Sequence, residues 1–313
     1  MNHIEDTFVL PNSPEYSKHF WSYLNGAEGQ EAYLANGKKV KDAYQLPFHE
    51  SGKYAEALKA ESLFRRIGSY FYIHEGASRI LAKDSHDVAA WVSLNREIPV
   101  YDGILDFTDI AVDDHKLAMV MKLDRDFMHG NKITFADYVV SRLARSFGKA
   151  EDNAFINGSG EDMPTGILHD TAGAEVGVTA EGIGFDDLTD LFFSVDKDYR
   201  KNGIWLMNDK TALAIRKLKD ENGYPLWNHT NDTILGKPVL ICNDMPDAEN
   251  GKKPIAFGDF SYYWIVERDA MCIHTLHERF FETNQIGYLA YETLDGKLIR
   301  RDAVKVLKIG KEA

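Results

Sequence analysis

One long amphipathic helix, predicted over residues 134–156, constrains the fold of this chain more than any other sequence feature. Its apolar side chains recur at steps of three and four residues, so they form one stripe along an α-helix. The members of this stripe are Phe135, Val139, Leu143, Phe147, Ala150 and Ala154. Thr134 is the predicted N-cap, Asp137 suits the first turn, and Gly158 and Gly160 end the helix. At about 1.5 Å per residue the helix is roughly 35 Å long, which suits a structural spine.

Strand-like segments lie before this helix. Apolar and polar side chains alternate within residues 70–121, and residues 116–121 form a short apolar strand. The polar stretch at 75–86 predicts a long two-stranded excursion. An isolated hairpin of this kind is marginal in water, so we expect contact with another subunit to stabilise it.

After the helix the pattern changes, from about residue 170, to alternating helices and strands. Two helices are predicted, over 185–199 and 210–218. Strands are predicted at 203–207, 239–242, 255–258, 262–266, 272–276, 284–291 and 303–309. Asp295 and Gly296 have the composition of a hairpin turn. The early and late strands can pair only if the α/β part is an insertion, which predicts an α+β fold with two lobes and a discontinuous chain.

The first 60 residues are weakly patterned. Residues 13–26 predict a short helix with a small apolar face formed by Phe20, Trp21 and Leu24. Residues 27–55 are rich in Gly, Lys and Glu and predict an extended arm that becomes ordered only across a neighbour. Deletion of residues 1–50 is therefore expected to prevent the formation of any stable assembly.

The composition is that of a soluble globular chain, with 44% hydrophobic and 27% charged residues among 313. A formal net charge of −13 argues against sequence-specific DNA binding. It suits either a solvated acidic surface or a lining that does not adhere to DNA. Cys242 and Cys272 lack a metal-ligand or disulfide spacing, and the sequence shows no signal peptide or membrane-spanning stretch.

No residue pattern predicts an enzyme. The glycine-rich segment with Gly158, Gly160, Pro164 and Gly166 follows a helix and lacks the Lys-Ser/Thr pair of a phosphate-binding loop, so it predicts a tight structural turn.

Other candidate groups have a simpler structural explanation. In a strand, His274 and His277 point to opposite faces, which disfavours a shared metal ion. Asp186, Asp187 and Asp190 suit a helix start. The aromatic run 262–264 lacks basic neighbours and predicts a core strand. We expect no catalytic residue, no cofactor and no metal site.

Several stretches, in order, resemble the major capsid protein family of tailed bacteriophages, which has the Hong Kong ninety-seven type fold. The most specific is EDNAFINGSG at 151–160 followed by MPTGIL at 163–168. Further matching stretches are AWV at 90–92, WLMN at 205–208, LGKPV at 235–239, FGDFS at 257–261 and VER at 266–268. The resemblance covers roughly residues 60–309.

This resemblance implies a domain organisation and a set of partners. The domains would be an N-terminal arm at 1–60, an E-loop at 75–110, an inserted A domain at 170–268 and a P domain. The P domain would comprise residues 61–74 and 111–169, with the spine helix at 134–156, and return strands at 269–313. Copies would form hexamers and pentamers of an icosahedral shell around double-stranded DNA, assembled in the host cytoplasm without a membrane. A portal protein is an implied partner, and a scaffolding protein, a maturation protease and a decoration protein are further candidates.

Some members of the family form a covalent crosslink between subunits. By resemblance, the pair would be Lys83 and Asn284, assisted by a buried Glu. The position expected for that Glu is Tyr291, with Glu292 beside it on the opposite face of a strand. We therefore expect no autocatalytic crosslink.

Two questions of family membership stay open. Many members begin with a scaffolding segment that is removed. Met1 favours a separate scaffolding protein over a matured chain. An encapsulin-type compartment of the same fold is the alternative function, and a soluble α/β hydrolase is the alternative from a different class.

Overall fold

The computed structural model describes residues 9–38, 43–73, 79–83, 107–125, 134–219, 227 and 231–311. The resembling stretch at 90–92 and most of the predicted excursion lie outside these residues. Seven helices are described: α1 Pro14–Leu24, α2 Phe48–Glu61, α3 Phe64–Ile67, α4 Phe135–Asn157, α5 Phe185–Ser194, α6 Lys197–Arg200 and α7 Asp209–Arg216. A 3₁₀ turn covers Glu31–Gly37.

The first sheet joins strands from both ends of the chain. Its strands are β1 Tyr44–Gln45, β2 Ser69–Tyr72, β5 His115–Asp124, β11 Tyr263–Leu276 and β12 Gln285–Leu298. Their order is β1-β11-β12-β5, and β2 pairs in parallel with β11. Early and late strands therefore pair as predicted. A separate antiparallel pair, β3 Arg79–Lys83 with β4 Phe107–Ala111, begins the two-stranded excursion.

The second sheet is built from the inserted α/β part and the last strand. Its strands are β6 Glu175–Ala180, β7 Ile204–Met207, β8 Thr233–Ile234, β9 Lys237–Ile241, β10 Ile255–Gly258 and β13 Val304–Ile309. The order is β6-β13-β10-β7-β9-β8. Its core contains Leu188 and Leu191 of α5 together with Trp205 and Phe257, all fully buried. The predicted mixed α+β fold is confirmed.

Helix α4 begins and ends within one residue of its prediction, but its buried stripe differs toward the C-terminus. Val139, Leu143 and Phe147 are buried as expected. One turn later Glu151 and Asp152 are buried, whereas Ala150 is exposed. The buried face of this helix therefore carries two carboxylates before its last apolar residues, Phe155 and Ile156, and these carboxylates must be compensated by partners elsewhere in the fold.

The prediction of an extended arm over 27–55 is wrong for the described residues. Helix α2 packs along α4. The segment before α2 places Leu34 and Leu46 in the core that the first sheet forms with α1, α2 and α4, where both are 0% exposed. The same core holds Phe20 of α1 and the helix and sheet residues Val139 and Tyr288. Because Gly29, Lys38, Gly52 and Lys53 are exposed, the glycine- and lysine-rich composition of this segment conceals a few well-spaced core residues.

Three further features of the fold differ from the prediction. Asp295 and Gly296 lie inside β12 instead of a hairpin turn, paired with Val266 and Ile265. A side chain at 296 would collide with the Tyr263 hydroxyl and the Phe155 ring, so glycine serves close packing there. The domain boundary expected at 268 falls within β11, and β13 joins the second sheet instead of the return strands.

No helix among the described residues is both long and apolar enough to cross a membrane.

Candidate functional site

The glycine-rich segment after α4 forms a tight turn that ends the helix and returns beneath it. The amide of Gly166 donates to the Gly158 carbonyl at 3.0 Å. A side chain at Gly158 would overlap the carbonyl oxygen of Pro164, and one at Gly166 would overlap that of Ile156. Gly160 has a φ of +77°. All four residues singled out in the sequence thus belong to one turn whose backbone approaches itself closely.

Asp152, on the buried face of α4, caps the N-terminus of α3. Its carboxylate accepts from the Leu63 amide at 2.7 Å, the Phe64 amide at 3.0 Å and the Ser62 hydroxyl at 2.8 Å. Burial raises the pKa of this carboxyl, and the three hydrogen bonds oppose that effect. The cap fixes α3 against the long helix and so places the next residue, Arg65.

Arg65 is the cation of a buried charge cluster. Its side chain is 9% exposed and forms a two-point contact with Glu151, with Nε–Oε2 at 3.0 Å and Nη2–Oε1 at 2.5 Å. Paired parallel contacts are the strongest geometry for arginine and carboxylate. Its Nη1 also lies 3.4 Å from Glu267 of β11.

Glu292 of β12 brings a further carboxyl group into this cluster. It is 0% exposed and accepts a hydrogen bond from the Tyr54 hydroxyl at 3.1 Å. No hydrogen-bond donor reaches its Oε1 in the described part of the chain. Burial, reinforced by the negative charge of Glu151, raises the pKa of Glu292 well above its usual range. Its neutral, protonated form is therefore the one that suits the fold.

Replacing Glu292 with glutamine is expected to remove a pH dependence of stability. The unfolded chain releases the Glu292 proton near the ordinary value of 4.5, whereas the folded chain retains it to higher pH. The folded state thus binds more protons, and this residue's contribution to stability falls as pH rises above 4.5, by at most about 1.4 kcal/mol per unit. Glu292→Gln keeps the side-chain shape but has no proton to lose, so the stability of this variant relative to the wild type is expected to increase as pH rises above 4.5.

Urea unfolding at several pH values measures this difference. Glu282→Gln, at an exposed position, is the matched control and is expected to follow the wild type at each pH. A constant difference between Glu292→Gln and the wild type across the range would show that Glu292 is ionised in the fold.

The cluster also reaches the strand from which the excursion departs. Glu267 accepts from the Tyr70 hydroxyl of β2 at 2.6 Å, and its carbonyl accepts from the Ile73 amide at 3.0 Å. On the return side, Lys297 of β12 donates to the Ala111 carbonyl at the end of β4 at 3.0 Å. Polar contacts from β11 and β12 therefore hold both roots of the excursion, that is, the segments where it leaves β2 and where it returns to β5.

Lys83 and Asn284, which the resemblance gives as the crosslink pair, lie on different elements of the subunit. Lys83 ends β3, opposite Phe107. Asn284 is exposed, with φ +54°, in the turn before β12. Tyr291 lies on the other face of β12 from Glu292, and the Lys116 ammonium group sits 3.8 Å from the centre of its ring.

Sequence reasoning missed the charge cluster, although one signal was available. Glu151 follows Phe147 by four residues and so extends the apolar stripe of the long helix. A carboxylate in that position predicts a buried cation, and Arg65 supplies it. Nothing in the local sequence identifies Glu267 or Glu292 as further members.

Comparison with known proteins identifies the family of this chain. Residues 43–309 match the profile of the Phage capsid family. This chain belongs to that family.

Relatives of this capsid-family chain include a probable major capsid protein, gp17, of Mycobacterium phage L5. It is 22% identical over 216 residues, which cover 66% of this chain and 64% of gp17. The match therefore spans just under two thirds of that relative.

Solved capsid structures share the fold. The capsid of an empty GTA particle matches with a TM-score of 0.67 and 28% identity over 80% of this chain and 90% of that one. The capsid of the native GTA particle gives 0.60 and 28% over 80% and 97%. A structure from Gordonia phage Cozz, at 14% identity and a TM-score of 0.57 over 80% and 87%, shows the fold alone. The predicted capsid-type fold is confirmed.

Proposed function

We propose that this chain is a major capsid protein whose copies form hexamers and pentamers of an icosahedral shell around double-stranded phage DNA. The observation that carries the proposal is the family match over residues 43–309, together with the likeness to GTA capsids over 80% of the chain. The function is mechanical, and the protein is a structural component of the virion, not an enzyme.

The described geometry supports different roles for different parts of the subunit. Helix α4 and the first sheet act as the P domain, and the second sheet with α5 and α7 acts as the A domain. The excursion between β2 and β5, which includes β3 and β4, acts as the E-loop and contacts a neighbouring subunit. Because polar contacts hold both of its roots, the excursion can transmit load between subunits into α4 and the first sheet.

Electron microscopy of the purified full chain tests the proposal. We expect icosahedral particles, capsomer rings or tubes in negative stain. Double-stranded DNA inside particles from infected cells supports a phage capsid, whereas a packaged enzyme would indicate the encapsulin-type alternative. A strictly monomeric protein under all conditions would overturn both.

The remaining partners follow from the same proposal. Assembly takes place in the host cytoplasm, with a portal protein at one vertex and scaffolding, protease and decoration proteins as candidate partners. The acidic chain, with its net charge of −13, favours only non-specific contact with packaged DNA.

We also propose that non-covalent contacts alone hold the shell. The acid nearest to the expected position, Glu292, is 0% exposed and lies on the opposite face of β12 from Tyr291. A lysine from a neighbouring subunit cannot reach it there without unfolding the cluster.

Heating assembled particles in denaturing detergent tests this expectation. A single band at the subunit mass, 35.4 kDa, is the expected result. A ladder of covalent multimers that disappears in Lys83→Ala or Asn284→Ala would contradict it.

A further inference from the structure

Three side chains that could bind a metal ion meet where the excursion returns to the first sheet. Asp113 lies between β4 and β5, His115 is the first residue of β5, and Asp295 lies in β12. Pairing of His115 with Leu294 brings them together. One ligand atom from each lies within 4.8 Å of the others.

His115 gives the observation that points to a ligand. Its side chain is 8% exposed, and its Nε2 has no hydrogen-bond partner in the described part of the chain. A buried polar atom without a partner is unfavourable and rare. This Nε2 faces Asp295 Oδ1 at 3.5 Å. Two ligands at roughly 2.0–2.1 Å from a tetrahedral zinc ion stand about 3.3 Å apart, so the pair is already close to that spacing.

Lys297 neutralises only part of the negative charge of the cluster. Its ammonium group contacts Asp113 Oδ2 at 2.6 Å and Asp295 Oδ2 at 3.2 Å. It therefore occupies the Oδ2 side of Asp295, whereas His115 faces Oδ1. Two carboxylates against one ammonium group leave one net negative charge beside the unpaired imidazole nitrogen.

We propose that Asp113, His115 and Asp295 bind one divalent transition-metal ion, with Zn²⁺ the best match. One imidazole and two carboxylates suit zinc, whereas Ca²⁺ and Mg²⁺ prefer oxygen ligands alone. Asp295 Oδ1 also accepts from the Gly296 amide at 2.8 Å, and its Oδ2 accepts from the Asp113 amide at 2.9 Å, so the carboxylate is held in place. The bound ion fastens the loop after β4 to β12 and strengthens the return root of the excursion.

Calorimetric titration of the chelator-treated full chain with ZnCl₂ tests the proposal independently of shell assembly. We expect one ion per chain, a rise in the unfolding temperature, and much weaker binding of MgCl₂. His115→Gln is expected to lower zinc affinity at least about tenfold, equivalent to about 1.4 kcal/mol. His49→Gln, at an exposed position on α2, is the matched control and is expected to bind as the wild type does.

Asp113→Asn provides a second variant that keeps the fold, since this side chain is 56% exposed. It too is expected to weaken binding. Substitution with Co²⁺ should give the visible absorption of a four-coordinate site, and His115→Gln should abolish it. Absence of saturable zinc binding by the wild type, or equal affinity in His115→Gln, would overturn the proposal.

Discussion

Replacing Arg65 with methionine is expected to lower the free energy of unfolding by about 3–5 kcal/mol, the range for removing one partner of a buried ion pair. The Arg65 and Glu151 side chains are 9% and 0% exposed, and Glu267 nearby is 15% exposed. Methionine has a similar length, so the variant removes the charge with little change in packing volume. The Glu151 carboxylate would then be buried without a cation. Chemical denaturation of the variant subunit measures the loss.

The neighbouring residue provides the control. Arg66 is exposed, and Arg66→Met is expected to change stability by no more than about 0.5 kcal/mol. Should Arg65→Met be insoluble, the double variant Arg65→Met/Glu151→Gln is expected to recover folded protein, because the uncompensated charge is gone. Equal stability of Arg65→Met and Arg66→Met would mean that the cluster does not hold the fold together.

Truncating Phe20 to alanine is expected to lower the free energy of unfolding by about 3–5 kcal/mol. This ring is 0% exposed and meets Trp21 edge-on, with ring centroids 5.2 Å apart. It belongs to the same core as Val139 of α4 and Tyr288 of β12. The cavity would therefore open in the core that joins α1, α4 and the first sheet, although Phe20 precedes α4 by more than a hundred residues. Thermal or urea unfolding of the purified subunit measures the effect.

Phe48→Ala is the matched control, since the Phe48 ring is 72% exposed at the start of α2. We expect that variant to unfold like the wild type.

The burial of N-terminal side chains also changes the result expected from a deletion of residues 1–50. Because Tyr16, Phe20 and Leu34 are core residues, the deletion should fail at subunit folding, before any contact between subunits. A deletion variant that folds with wild-type stability yet forms no shells would restore the simpler view of a detachable arm.

Local periodicity was sufficient to predict the elements whose pattern lies in neighbouring side chains. The stripe from Phe135 to Phe147 predicted α4, and the strand β10 was predicted with its exact limits. Pairing between early and late strands followed from chain order alone, because the α/β part can be accommodated only as an insertion. Helix α4 and strand β10 depend on side chains close in sequence, so the sequence is sufficient to predict them.

The N-terminal segment shows where this reasoning failed. Leu34 and Leu46 are too widely spaced to form a recognisable period, and the residues between them are mostly polar. Their burial depends on a surface that α4 and the first sheet supply. The turn predicted at Asp295 and Gly296 was wrong for a related reason. Their composition is typical of a turn, but β pairing and the close approach of Tyr263 and Phe155 place both residues within a strand.

The sequence by itself determined the long helix, the α+β class, the inserted α/β part and the resemblance to phage capsid proteins. Only the tertiary structure decided that Glu292 shares a buried site with Tyr54, 238 positions away, and that Asp113 and His115 meet Asp295. The physical reason is that helices and strands follow from the spacing of neighbouring side chains, whereas buried charges are paired by strand register and helix packing. Those contacts join residues that carry no local signal of one another.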